Sequence, residues 1–180
     1  VWTVDWRDRP SRDQRDFAAA DEVLKHVIQG HDFGPDIDWQ ADPNNYREWT
    51  YAINRFFHWR TLAAAYWEGG DERYAKELCD QWVDWVRKNP VPLFTSGNGS
   101  YTWRTIECGI RQSTTWPDCL YRIMGSEHFT PEVAAVVTKS MIEHARHLMV
   151  WPSRGGNWLT MESNGLGTIG ILLPEMKEAA

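Results

Sequence analysis

Gly155-Gly156-Asn157-Trp158-Leu159-Thr160-Met161-Glu162, continued by Ser163-Asn164-Gly165-Leu166, joins a glycine pair to an apolar run that reads as a helix as far as Pro174. Asn157 is the expected N-cap, because an Asn side-chain oxygen accepts from an orphan N–H of the first turn. Trp158 and Glu162 are four apart and share one helical face. The same Trp-x-Thr-apolar-Glu pattern stands fifty-five residues earlier, in Thr102-Trp103-Arg104-Thr105-Ile106-Glu107. A fainter copy lies upstream: Arg55 and Gly69 precede Arg111 and Gly125 by fifty-six residues, and Trp59 falls near the place matched by Trp116. Self-similarity at nearly one offset predicts a two-helix unit used repeatedly.

Working outward from the repeat, each helix has its own start and stop signals. Ser11 is placed to cap a helix over 12–29 with Phe17, Ala20, Leu24, Val27 and Ile28 as its stripe. Trp2 and Trp6 are expected to lie on a neighbouring surface. Residues 31–43 carry turn chemistry, with Ile37-Asp38-Trp39 docked from inside the loop. Ala52, Phe56, Trp59, Ala63 and Tyr66 follow the helical period and predict one helix from 44 to 67. Gly69-Gly70 stops it, and Asp71 caps a partner over 71–89. After a Pro/Gly/Ser loop, a helix is predicted over 102–124, disturbed near Trp116-Pro117 because an interior Pro removes a hydrogen bond. Thr130-Pro131-Glu132 starts a helix to Val150. Pro174-Glu175 is expected to begin a further helix. No segment alternates as a strand does, so the expected fold is all-α, one helical domain over 1–180.

Composition narrows the function classes. Charged residues make up 24% and hydrophobic ones 42% of 180, a globular balance. No apolar run is long enough to span a membrane, so no membrane partner is expected. The chain opens Val1-Trp2-Thr3, which suggests that an upstream segment was removed. A net charge of −6 argues against nucleic acid as a partner. The cations are fourteen Arg against five Lys, and Arg suits carboxylate or sulfate. Cys79, Cys108 and Cys119 have neither disulfide nor metal spacing, and His58, His144 and His147 suggest no metal site. The twelve Trp are an excess. Roughly two-thirds are expected in the core and the rest in a cleft.

Several pieces of the chain, in order, resemble the N-terminal helical domain of heparinase II/III-type polysaccharide lyases. These are Ile37-Asp38-Trp39, Glu48-Trp49 with Asn54-Arg55, Ala64-Ala65-Tyr66, Gly70 to Ala75, and Asn89-Pro90. Trp103 with Glu107-Cys108-Gly109-Ile110-Arg111, Phe129-Thr130, Asn157-Trp158 with Glu162, Gly165-Leu166 and Pro174-Glu175 continue the match, which covers about residues 30–180. The resemblance implies a partial (α/α) toroid of antiparallel helix pairs and β-elimination on uronic-acid polysaccharides, heparan sulfate- or alginate-like. In such a reaction a base takes the C5 proton, an acid assists the leaving sugar, and a neutralising donor, commonly an Asn or an acidic residue, offsets the adjacent carboxylate.

By the same resemblance, Asn157 is that donor, while the position usually held by His is Trp158. The catalytic Tyr and His of the family are expected beyond Ala180, so this chain alone is expected to be an incomplete enzyme. Arg55, Trp59, Trp103, Glu107, Arg111, Trp158 and Glu162 are the candidate substrate-binding residues, with Trp103 and Trp158 as sugar-stacking platforms. No cofactor or metal is expected. The expected partner is an anionic polysaccharide, in a periplasmic or secreted setting, with homo-oligomers possible through an open toroid edge.

Other readings stay open on the residues alone. Asn157 and Thr102 suit plain helix caps, and Arg55 or Arg111 suit structural ion pairs with Glu48 or Glu107. Glu107, Asp118 and Glu162 would serve a glycoside hydrolase if two faced each other across a cleft. A non-catalytic glycan-binding fragment is the third reading.

Overall fold

A computed structural model of the chain describes residues 17–177. Trp2, Trp6 and the Ser11 cap lie outside the described residues. Helix α1 (Ala18–Leu24) ends before the predicted stop at 29, and residues 12–16 of that prediction lie outside the described residues. His26 takes a left-handed φ of 60° and the chain turns away. Strands β1 (Val27–Ile28) and β2 (His31–Asp32) then pair antiparallel. This hairpin was not expected. Its turn residues, Gln29 and Gly30, have φ of 51° and 78°, the left-handed pair that a tight hairpin requires.

The predicted 44–67 helix is two helices, α2 (Arg47–Ile53) and α3 (Phe57–Gly69). Between them Phe56 is left-handed, at φ 60° and ψ 32°. Periodicity passed over this break because apolar spacing records which face is buried, not whether each backbone bond is made. The freed groups find partners elsewhere. The Arg55 carbonyl accepts from Thr115 Oγ1 at 2.7 Å, and the Asn54 carbonyl from Arg111 Nη1 at 3.3 Å. The Asn54 side chain donates to the Trp39 and Thr50 carbonyls and accepts from Trp85 Nε1.

Gly70, left-handed at φ 72°, closes α3 and Asp71 caps α4 (Glu72–Lys88) through the Arg73 N–H, as expected. Tyr74, Leu78, Trp82 and Trp85 form the buried stripe of α4. The disturbance expected in the 102–124 segment is present. Helix α5 (Thr105–Ile110) widens into a π turn over Arg111–Thr115 before α6 (Trp116–Ile123) resumes. Pro117 in the first turn of α6 cannot donate to the preceding turn, and a wider turn accommodates its ring. The Thr114 hydroxyl bonds the Ile110 carbonyl at 2.7 Å.

Thr130 caps α7 (Pro131–Val150) through the Val133 N–H. Helix α8 (Gly156–Leu172) follows, and neither cap expected from the repeat is used. Gly155 precedes α8 with no side-chain cap bond, which leaves Asn157 inside the first turn. Thr102 stands two residues ahead of the α5 cap position, and Asn98 Oδ1 accepts the Thr105 N–H at 3.3 Å instead. Residues 174 and 175 form a turn rather than a helix start.

Helices α3 and α4 pack as a hairpin; α4 lies on α7, α3 on α6, and α8 on both α5 and α7. The described residues are thus all-α apart from the small hairpin, with paired helices set side by side. Of the ten described Trp, seven are buried, so most of the excess fills seams between helices. Phe56 stacks on Trp59 at 3.8 Å, Trp82 meets Trp116 at 4.9 Å, and Trp85 meets Trp103 at 5.8 Å.

His144 is sealed into this aromatic group, 4.4 Å from Trp103 and 4.9 Å from Trp116, with Nδ1 on the Ser140 carbonyl at 2.7 Å. Burial first, and the Arg111 cation second, hold its pKa well below the ordinary imidazole value. Burial likewise pushes His58 down to about 3.

Helices α5 and α8 approach through glycines. A Cβ on Gly109 would lie 2.4 Å from the Met161 carbonyl oxygen, and one on Gly165 would lie 2.6 Å from that of Gly109. Both neighbours are backbone, so neither site relaxes cheaply. Gly109→Ala or Gly165→Ala is expected to cost about 1–3 kcal/mol in denaturant unfolding; unchanged midpoints would show that the helices do not meet there. The histidines set a pH dependence. An unfolded imidazole binds a proton near pH 6.5 while buried His144 does not, so stability falls as pH drops below about 6.5, by up to about 1.4 kcal/mol per pH unit per such group. Unfolding midpoints between pH 7 and 5 should show this slope, reduced in His144→Phe.

Candidate functional site

The break between α2 and α3 aims Arg55 at the start of α5, and the two elements meet around one carboxylate. Glu107 is 0% exposed. Arg55 Nη2 donates to Glu107 Oε1 at 2.8 Å, while Arg104 donates to both oxygens, Nε to Oε2 at 2.5 Å and Nη2 to Oε1 at 2.7 Å. Arg104 Nη1 reaches Glu48 at 3.3 Å, and Arg55 lies 3.6 Å from the same side chain. Two cations and two anions therefore cancel. Burial opposes the charge of Arg104, yet its bond to Glu107 keeps its pKa above the ordinary value.

The Arg104 guanidinium lies 3.5 Å from the centre of the Tyr51 ring and 5.2 Å from that of Trp158 on α8. Trp158 is half-buried, and Asn157 before it is exposed. Among the described residues no side-chain partner engages Asn157. Its place is held from beneath by Glu162, 2% exposed, which accepts from the Ser153 N–H and hydroxyl, both at 2.7 Å. Glu162 thus ties the loop ahead of α8 to the helix it opens.

The candidate residues separate into a rim and a core. Arg55, Glu107, Trp158 and Asn157 belong to the rim cluster or its edge. For Arg55, the structural ion pair is the arrangement observed. Arg111, expected at the substrate surface or paired with Glu107, is buried in the π turn. It donates to the Thr102 carbonyl at 2.7 Å and to Cys108 Sγ at 3.1 Å, and lies 4.7 Å from the Trp85 ring. Burial pulls its pKa below the ordinary value. It is a strut from α5 to the α2–α3 break, out of reach of a surface ligand.

Trp59, expected to bind substrate, and Trp103, expected as a stacking platform, are both interior. Trp59 is 0% and Trp103 2% exposed, and their indole N–H groups donate to Gln81 at 2.8 Å and the Asn89 carbonyl at 2.9 Å. Trp103 is not an open platform because α5 starts only at Thr105, leaving Trp103 in a segment folded inward. The acid-and-base pairing of Glu107 and Glu162 has no free carboxylate oxygen in either. Asp118 is held by Arg60 at 3.1 Å and Arg122 at 3.0 Å. Those three line a depression of about 450 Å³ between α1, α3 and α6 that none of the other candidates borders.

Sequence reasoning passed over Arg104 and Tyr51. Arg104 carried a signal, as the variable residue of the repeated motif three positions before Glu107, where an ion pair on one helical face is expected. The three cysteines are free and buried. Among the described residues no group of His, Cys, Asp and Glu is placed to hold a metal. No described helix is long and apolar enough to cross a membrane.

Comparison with known proteins places this arrangement. Residues 5–180 match the family described as Heparinase II/III N-terminus. A heparin-sulfate lyase of Pedobacter heparinus is 31% identical over 166 residues, which take in 89% of this chain and 25% of that protein. One from Bacteroides stercoris is 30% identical over 184 residues, 89% of this chain and 27% of that protein. The chain thus spans about a quarter of the length of the curated relatives it matches. Among solved structures, a heparinase III superposes with a TM-score of 0.83 at 27% identity, over 98% of this chain and 30% of that one. The heparan sulfate lyase HepC from Pedobacter heparinus gives 0.82 at 29% identity, over 99% and 28%. The fold is the expected partial (α/α) toroid of helix pairs.

The rim cluster makes an unequal demand on its two acids. Glu107→Gln leaves two guanidinium groups without their buried anion and is expected to cost about 3–5 kcal/mol in denaturant unfolding. Glu48→Gln, at the exposed end of the same network, is expected to cost no more than about 1 kcal/mol. Equal losses would show that Glu107 is not the anchor.

Proposed function

This chain belongs to the heparinase II/III N-terminal family, and on that membership and the rim geometry we propose that it forms the N-terminal part of a polysaccharide lyase. Its substrate is a uronic-acid glycan of the heparan sulfate type, cleaved by β-elimination. The observation that carries the reading is Asn157, free and exposed beside Trp158, in the matched motif. The names of the relatives support heparan sulfate and give no support to alginate.

Elimination requires loss of the C5 proton beside a carboxylate whose negative charge opposes that loss. A neutral amide offers two N–H donors to the carboxylate without an acidic proton of its own. The first turn of a seventeen-residue helix adds unpaired N–H groups and positive potential at the same place. Asn157 would therefore lower the barrier where charge builds up on the carboxylate, as preorganised donors do. Trp158 presents a half-buried ring to the adjoining sugar, with the Arg104 guanidinium, already paired with Glu107 and Glu48, 5.2 Å from its centre.

On this reading the base and the acid are the Tyr and His that the resemblance assigns to later parts of a full-length lyase. Glu107, Glu162 and Asp118 are all bonded to neighbours, which disfavours the hydrolase alternative. Ile171 on α8 is 78% exposed, and a second copy of the chain packing there is the reading for the expected homo-oligomer. A glycan of this kind suits a periplasmic or secreted protein.

The test is ultraviolet absorbance of unsaturated uronate, followed on heparan sulfate with this chain and with the chain extended to the length of its relatives. Absorbance should rise with the extended form. Asn157→Ala should lower kcat/KM by about a hundredfold or more, with an unchanged melting temperature because Asn157 makes no cap bond. Cleavage products without the absorbance would overturn elimination in favour of hydrolysis. Binding without cleavage by either form would leave a glycan-binding module.

A further inference from the structure

The rim does not end at the Glu107 cluster. Arg47, the first residue of α2, is exposed, and its guanidinium stands 5.5 Å from the centre of the Tyr101 ring. Tyr101 lies 6.1 Å from Tyr51, which carries Arg104, and Arg104 adjoins Trp158. Neighbouring contacts thus link Arg47, Tyr101, Tyr51, Arg104 and Trp158, the residue beside Asn157.

The two cations of this series are in different states. Arg104 has its donors on Glu107 and Glu48 and is neutralised. Arg47 makes no ion pair among the described residues and meets only a ring face. A guanidinium lying over a ring keeps its N–H edge open to a planar anion, and that edge offers a bidentate fork. Tyr101 is half-buried, so part of its ring remains open to a ligand. Such an arrangement, with one unneutralised Arg beside an accessible ring, matches a sugar that carries an anionic group.

We propose that Arg47 and Tyr101 form an outer subsite for an anionic uronic-acid oligosaccharide. Arg47 takes a carboxylate or sulfate, Tyr101 packs against the C–H face of the sugar, and the glycan runs along the row toward Trp158. This rests on the reading of the rim as a uronate-glycan site. It adds residues outside the motif and a direction for the bound chain.

Calorimetric titration of this chain tests it, with a heparan sulfate hexasaccharide, its desulfated counterpart and a neutral glucan hexasaccharide as probes. The anionic hexasaccharides should bind more tightly than the neutral one, with affinity falling as salt rises. Arg47→Ala should weaken anionic binding about tenfold, Arg47→Lys by less, and Tyr101→Leu by an amount similar to Arg47→Ala. Melting curves for each variant confirm folding, and Arg47 is exposed enough for its removal to leave the fold intact. Loss on both anionic probes assigns the carboxylate to Arg47, and loss on the sulfated probe alone assigns the sulfate. Unchanged affinity in Arg47→Ala, or equal affinity of the chain for neutral and anionic probes, overturns the subsite. Arg47-dependent binding in a protein whose extended form gives no elimination would keep the subsite and remove the lyase reading.

Discussion

A carboxylate with no contact to water has to be matched by cations, and at Glu107 that requirement reaches through much of the structure. A buried anion is tolerated only where partners replace its hydration, and here Arg55 and Arg104 fill both oxygens. Arg55 reaches Glu107 from the break between α2 and α3, where Phe56 is left-handed. The break releases the Asn54 and Arg55 carbonyls, and the π turn of the next helix satisfies both through Arg111 and Thr115. One buried ion cluster, one backbone break and one widened helical turn are a coupled set.

A second constraint acts at the backbone. Helices α5 and α8 carry the two copies of the repeated motif, and they pack with Gly109 against the Met161 and Glu162 backbone. That closeness sets where the α8 start lies relative to Arg104, and so brings the Trp158 ring to the edge of the ion cluster. The aromatic core fills the remaining seams between pairs. Its mutual ring contacts confine His144 and Arg111 to places where their charge states are governed by burial.

The repeated motif illustrates how equivalent sequence positions acquire unlike surroundings. Glu107 and Glu162 are both buried, as helical positions facing the interior should be. Glu107 is held by two guanidinium groups, while Glu162 is held by Ser153 and pins a loop. Trp103 and Trp158 differ more: one is packed in the core ahead of its helix, the other lies half-open on the first turn. The same five-residue pattern thus serves an ion cluster in one copy and a helix entrance in the other.

Helix content, the short turn at Gly70-Asp71, the Thr130 cap, the disturbance before Pro117 and the motif containing Asn157 were legible in the sequence, because each depends on local backbone chemistry or side-chain period. The resemblance to a lyase family was legible for the same reason, as short motifs in a fixed order. The break at Phe56, the strand pair at 27–32 and the loss of the Asn157 and Thr102 caps were decided in three dimensions. So were the interior placement of Trp59, Trp103 and Arg111 and the assembly of Arg104 with Tyr51 and Trp158. For the ion cluster the deciding partner is remote along the chain, some fifty residues from Arg55 to Glu107, and local periodicity carries no record of what a distant segment will offer or demand.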